Sequence, residues 1–470
     1  MYKNLLLINP WIYDFAAYDL WSKPLGILYI ASFLRNNNFK ISYIDCLDKY
    51  GSDHIPKLKK YGQGNFYREE VEKPAILKEI KRKYARYGIS EKVFLEKLLA
   101  LPEPDAILIT SFMTYWYLGP KRVVEILRKQ YPQTPIILGG IYATLMPRHA
   151  KHTVKPDYII SGPGEIKVLK LLCDLLQLPF DDMTIPESLD DYPYPAFDLI
   201  NRPGYLIVLS SRGCPFECSF CAQKKISMNF IQRDPKKVAE EIMYHYKKFK
   251  LRDFAFYDDA LFINADRYIK ILLEEIIRSK LPIRFHTPNG LFPVFIDNDL
   301  AELMYRSNFK TIRLSFETLN QERHKEMSDK ISLEGMKNAV AHLVKAGYRK
   351  KELEAYIIMG LPGQNMEEIL ASIIFINNLG IKIRLASFSP IPGTKEYKQS
   401  VDKGLIPPDI DPLLTNNSIY PLKNMYIDYE MYRKIRQLSH ILNNAVQYNM
   451  IPFSDPGFTE NLVAALRRIY

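Results

Sequence analysis

Three of the chain's five cysteines stand in one short stretch, Cys214-x3-Cys218-x2-Cys221, directly after an apolar, β-branched run at 205–210. Thiolates are soft ligands, and three from one loop can converge on a single soft-metal centre. They satisfy three irons of a cubane iron–sulfur cluster and leave the fourth open to a substrate, whereas an electron-transfer cluster takes four cysteines. A structural zinc knuckle would need a fourth ligand that the loop lacks. Gly213 permits a tight turn into the first cysteine, and Phe220 gives the last an apolar cover. Cys46 and Cys173 stand alone in apolar surroundings and read as packed core.

A strand-then-helix rhythm positions this loop. Strands are expected at 205–210, 253–257, 283–286, 311–315, 352–358 and 383–388. Helices fall between them, at about 235–250, 266–279, 298–306, 321–346 and 366–379. Six such units predict a partial (β/α)6 TIM-type barrel over 204–400, whose active site lies at the carboxyl ends of its strands. Those ends carry the cysteines, Asp258 and Asp259, His286 with Asn289, Ser315 with Glu317, Gly360 to Gly363, and Ser389 to Thr394. Acids and hydroxyls can hold an ammonium, a sulfonium and ribose hydroxyls, while glycine turns let backbone amides approach a ligand. His286 by itself reads as a satisfied structural histidine.

Residues 1–185 alternate strands (5–8, 41–45, 106–110, 136–138, 158–160) with helices (24–34, 120–130, 165–176). This predicts an α/β unit, a doubly wound, Rossmann-like (flavodoxin-like) parallel sheet with its ligand site at the strand ends. The loops there carry Ser111 and Thr114, then Gly139, Gly140 and Tyr142, then Ser161-Gly-Pro-Gly-Glu165. Paired glycines admit a flat or bulky ligand closely. A charged insertion at 48–102 is expected to form a helical surface excursion. The proline- and acid-rich stretch 186–203 reads as a linker. Beyond it lie the barrel and a small helical C-terminal region, 401–470, with an amphipathic helix at 429–446.

At 470 residues, 47% apolar and 25% charged, the chain is an ordinary globular one with room for two or three domains. It contains no run of about 18 uncharged apolar residues, so no membrane span is expected, and the N-terminus reads as a strand, not a signal peptide. Free clustered thiols fit the reducing cytoplasm. The net charge of +11 reads as a lysine-rich solvated surface; without interleaved aromatics, nucleic acid is not indicated.

The cysteine loop with its preceding strand, the barrel rhythm, and the Gly360-Leu-Pro-Gly363 and Pro390-Ile-Pro-Gly-Thr394 turns resemble radical S-adenosylmethionine (SAM) enzymes. The N-terminal sheet, with its Gly139-Gly-Ile-Tyr-Ala-Thr and Ser161-Gly-Pro-Gly-Glu165 loops, resembles the cobalamin-binding domain fused to one branch of them. The resemblance implies that Cys214, Cys218 and Cys221 ligate a 4Fe-4S cluster whose open iron chelates SAM, giving a 5′-deoxyadenosyl radical. It puts Phe220 near adenine, Ser315 and Glu317 near the ribose or methionyl group, and Gly360 and Pro390 at the adenine edge. Relatives carry Gly-Gly-Glu where this chain has Tyr257-Asp258-Asp259, so the methionine amine falls to Asp258 or Asp259. Cobalamin would be held by Ser111, Thr114, Gly139, Gly140, Tyr142 and Glu165. It would be His-off, because the stretch 45–51 lacks the histidine of the D-x-H-x-x-G motif. The implied activity is methyl transfer to an unactivated carbon of a small-molecule or peptide substrate, with an external ferredoxin- or flavodoxin-type electron donor. The alternatives are radical rearrangement, cyclisation or oxidation, and, from another class, a non-catalytic iron–sulfur redox or sensor module.

Overall fold

The computed structural model describes residues 3–51, 55–227, 229–327, 332–422 and 427–449. Near the N-terminus, short apolar runs form five parallel strands: β1 (Asn4–Asn9), β2 (Lys40–Asp45), β3 (Ala106–Ile109), β4 (Ile136–Leu138) and β5 (Tyr158–Ile159). Their order is 5-4-3-1-2. Successive side chains alternate faces. Leu5 and Leu7 therefore pack with helices Leu25–Asn36 and Glu165–Leu176, and Leu6 and Ile8 with helix Leu118–Gln130. Both faces are covered, which explains why these strands are apolar throughout. The order reverses between β1 and β3, and the loops leaving those two strands part there to open a crevice.

The insertion departs from the expected helical excursion. Among its described residues the one α-helix is Glu91–Leu99. Ala85–Tyr87 instead pairs antiparallel with Ile12–Asp14 and Arg68–Glu70. Ala85 and Tyr87 bury with Ile12 and Phe66, while Arg86 is satisfied by Glu69 and Glu91. Charge density in the sequence concealed this pairing.

The second sheet has six parallel strands in chain order: β6 (Leu206–Val208), β7 (Asp253–Phe256), β8 (Arg284–His286), β9 (Phe309–Glu317), β10 (Leu353–Met359) and β11 (Lys382–Ser387). β6 and β11 are its two ends, so the barrel is partial, with a large core between strands and outer helices. The helix expected at 321–346 is two, Gln321–Glu326 and Leu333–Lys345. Helix Tyr429–Gln447 covers the free edge of β11. Asn443 Oδ1 accepts from Ile383 N (2.7 Å) and its Nδ2 donates to Ile383 O (2.9 Å), so one amide replaces the missing neighbour strand. The last part of the expected helical region, 450–470, lies outside the described residues. Among the described residues no helix is long and apolar enough to cross a membrane.

A buried ionic knot joins the halves. Asp19 accepts from Lys49 Nζ (2.6 Å), Lys23 Nζ (3.3 Å) and the Tyr205 hydroxyl at the start of β6. Beside it Trp21 stacks on His286 of β8 with ring centroids 4.1 Å apart.

Candidate active site

The cysteine loop is closed at its base where Ser211–Arg212 pairs antiparallel with Ile231–Gln232. Gly213 has φ +80°, and a Cβ there would collide with the Asn229 carbonyl, so glycine is required. Cys214 is buried beside Ala260 and Phe292, and Cys218 is buried with Sγ 3.7 Å from Met327 O. Cys221 reaches the surface, where Gln223 N donates to its Sγ (3.4 Å). Its thiol is pushed up to about 11, first by desolvation and then by Cys218, Asp259 and Cys214. The Cys221 sulfur thus shares an electrostatic neighbourhood with Cys218, Cys214 and Asp259. No three His, Cys, Asp or Glu among the described residues stand at metal-ligand spacing. The donor set itself, three thiols on one loop beside apolar side chains, fits a soft metal cluster.

The neighbouring strand ends divide the expected SAM contacts. Asp258 is buried and occupied: Ser210 N (3.1 Å), Ser210 Oγ (2.7 Å) and Ser211 Oγ (2.6 Å) all donate to it. It ties β7 to β6 and is not available to a methionine amine. Asp259 opens into the cavity described below, and burial, then the Asp258 charge, pushes its carboxyl up to about 7. An arriving ammonium would draw it back down. Ser315 and Glu317 share the carboxyl end of β9, where the pairing register shifts. Glu317 is buried with φ +66°, a backbone strain that a non-glycine residue adopts where surroundings enforce it. Gly290 leaves the room that Ser315 Oγ occupies. Phe220 packs towards Ile358, Leu361 and Phe388, at the ends of β10 and β11, and Pro390 is buried near it in sequence beyond β11. Gly360 has φ +98°, but the space a side chain would take belongs to the Tyr432 hydroxyl, so that face is turned to the C-terminal helix. His286 is structural as expected: Asp253 and Thr311 hold its two nitrogens at 2.9 Å each, and burial lowers its pKa.

A cavity of about 350 Å³ lies where the two strand-end surfaces meet. Its walls include Ser111, Gly139, Gly140 and Glu165 from the first sheet and Arg212, Gly213 and Asp259 from the barrel. Ser111 Oγ donates to Gly139 O (2.6 Å) and accepts from Ala143 N (3.2 Å), which locks the Gly139–Gly140 turn. Two expected contacts are elsewhere. Tyr142 is fully buried in the core on the far side of the sheet, hydrogen-bonded to His149 Nδ1 (2.7 Å). Thr114 is buried in a short turn that packs on residues 412–415. Sequence reasoning missed Tyr29 and the Pro24–Ile30 segment, Thr144, and Arg212, all of which line the cavity. Position was a signal for Thr144 and Arg212, which lie a few residues beyond the ends of β4 and β6, whereas Tyr29 and its helix carried none.

Residues 208–376 match the family model of the Radical SAM superfamily, so the barrel is a radical SAM domain. The chain is 26% identical over 313 residues to an anaerobic magnesium-protoporphyrin IX monomethyl ester cyclase of Rubrivivax gelatinosus, covering 60% of this chain and 55% of that protein. It is 24% identical over 343 residues to an uncharacterized methyltransferase of Pyrococcus horikoshii, covering 66% and 72%. The chain thus spans little more than half the length of the cyclase. The fold is that of the radical SAM methyltransferase TsrM of Kitasatospora setae, solved with cobalamin and a [4Fe-4S] cluster bound: TM-score 0.63, 15% identity, 86% of this chain and 75% of that one.

Proposed function

We propose that the protein is a radical SAM enzyme that holds a 4Fe-4S cluster on Cys214, Cys218 and Cys221, and cobalamin along the open crevice whose inner part is the cavity. Its reaction is methyl transfer to an unactivated carbon of a small-molecule or peptide substrate. One observation carries the reading: the two ends of the cysteine loop, at 211–213 and 223–227, and the carboxyl ends of a doubly wound sheet wall the same cavity. When bound, the cluster and corrin supply reductive cleavage of SAM and carriage of a methyl group. The chain's own residues do the rest. Asp259 offers a carboxylate to an ammonium, Ser315 and Glu317 offer hydrogen-bond partners to ribose or methionyl oxygens, and Phe220 supplies an apolar wall. Apolar side chains such as Leu25, Ile109 and Ile226 keep water from the cavity. The reductant comes from outside, from a ferredoxin- or flavodoxin-type donor in the cytoplasm, whose reducing interior keeps the thiols free.

Likeness to a named cyclase supports a second reading, radical ring formation without methyl transfer. Anaerobically reconstituted protein given SAM and dithionite is expected to release 5′-deoxyadenosine and to take up hydroxocobalamin with a His-off spectrum. Methyl label from SAM appearing on the corrin selects the first reading over the second. Cys218→Ala should lose cluster absorbance and iron. Wild-type protein that yields no 5′-deoxyadenosine refutes both.

A further inference from the structure

Arg212 stands two residues before Cys214, on the short strand that closes the cysteine loop. Its guanidinium is held entirely by the N-terminal half and the linker. Glu165, the first residue of helix Glu165–Leu176, forms a short ion pair with Arg212 Nη2. The rings of Tyr29 and Tyr192 lie beside the guanidinium, 5.6 Å and 5.4 Å away. Glu165 is buried and Arg212 largely so, and both border the cavity. The sequence placed Glu165 among the cofactor contacts, but its carboxylate is already engaged.

We propose that Arg212 and Glu165 form a latch that fixes the cysteine loop against the cavity, so that the first cluster ligand and the cavity's occupant keep one separation. They are positioning residues. Two residues of extended chain span at most about 7 Å, and the Asn229 carbonyl lies where a side chain on Gly213, between Arg212 and Cys214, would stand. A displacement of Arg212 therefore passes directly to Cys214. On the other side, Glu165 opens the helix that follows β5, so its carboxylate moves with the first sheet. A planar guanidinium suits the task, because carboxylate pairing and ring stacking fix its position and its tilt together. The cysteine loop's tail helix, Gln223–Ile226, also packs on Ile141–Leu145, so the loop touches the first domain at both ends. Among the described residues, the Arg212 end is the one held by an ion pair.

The purpose of the latch rests on the proposed function, but its existence does not, so two kinds of measurement are needed. In the apo-protein, amide hydrogen exchange of residues 213–227 should rise on the order of tenfold in Glu165→Gln, because a stacked arginine loses its buried anion. The charge-reversed pair Glu165→Arg with Arg212→Glu should bring exchange back towards wild type. In reconstituted protein, the ratio of methylcobalamin to 5′-deoxyadenosine formed from SAM should fall on the order of 100-fold in Glu165→Gln, as expected for an ångström of misalignment. Should Glu165→Gln prove insoluble, Arg212→Lys carries the same expectations, since it keeps the charge but loses the fork and the stacking. Unchanged loop exchange in either variant overturns the latch. A loss confined to hydroxocobalamin affinity also overturns it, by making Glu165 or Arg212 a ligand contact. Wild-type protein that makes no 5′-deoxyadenosine would refute the function while leaving the exchange result to judge the latch.

Discussion

Asp19→Asn tests what holds the two halves in register. Asp19 is 1% exposed and is the anion in direct contact with two buried ammonium groups, Lys49 at 2.6 Å and Lys23 at 3.3 Å, exposed 4% and 9%, while Asp45 acts on both from farther away. Lys49 also donates to Gly62 O (2.7 Å), and Lys23 Nζ lies 4.5 Å from the Tyr205 ring centroid. Neither contact supplies charge. Asparagine keeps the shape and an acceptor for the Tyr205 hydroxyl, but leaves both lysines uncompensated. Stripping one partner from a buried pair costs roughly 3–5 kcal/mol, a large share of the 5–15 kcal/mol that ordinarily separates folded from unfolded chains. Removing all three charges together, Asp19→Asn with Lys23→Met and Lys49→Met, keeps the acceptor for the Tyr205 hydroxyl and should come within about 1 kcal/mol of wild type.

Denaturant titration of the apo-protein at neutral pH, followed by circular dichroism, compares the three proteins. The pH dependence gives an independent check. Burial pushes the Asp19 carboxyl up, but Lys23 and Lys49 outweigh it and hold it below the usual carboxylate range. A group whose folded pKa is depressed stabilises fully above its unfolded value, near 4, and loses that contribution as pH falls through the folded value. Wild type should therefore lose stability below about pH 4 more steeply than Asp19→Asn does. An Asp19→Asn protein within about 1 kcal/mol of wild type, or a triple variant less stable than Asp19→Asn, would refute the electrostatic account.

The two adjacent aspartates should separate cleanly. Asp258→Ala strands the donors of Ser210 and Ser211 and should cost about 1–3 kcal/mol per unmet group, read by denaturant titration, whereas Asp259→Ala should leave stability within about 0.5 kcal/mol and weaken SAM binding about tenfold. Equal stability losses at both positions would contradict the assignment. Gly360→Ala drives a Cβ into the Tyr432 hydroxyl, so Tyr432→Phe should recover part of the loss, with a coupling of about 0.5–3 kcal/mol in a double-mutant cycle; strict additivity would show that the two do not meet.

Much of the fold was legible because it is written in local pattern. The runs at 5–8, 106–109 and 136–138 are apolar without alternation, as strands covered on both faces must be, and the six later strands alternate with helices at barrel spacing. The cysteine loop was legible because three of five cysteines fall within eight consecutive residues. What escaped depends on partners far away in sequence. Asp258 and Asp259 are neighbours, and nothing local says which turns inward; the choice is made by the hydroxyls of Ser210 and Ser211, at the end of another strand. Tyr142 and Gly140 stand two residues apart, yet the helical turn between them sends the tyrosine into the opposite core. Glu165 looked like a ligand because a carboxylate at a strand end is free until its counter-charge is known, and that charge is Arg212, 47 residues on. The same reasoning locates the remaining specificity. Local pattern supplies the sheet edges and the thiols, and long-range ion pairs decide which polar groups are still free when a ligand arrives. In this chain Asp259 stays turned towards the cavity, whereas Asp258 and Glu165 are committed to holding the walls in place.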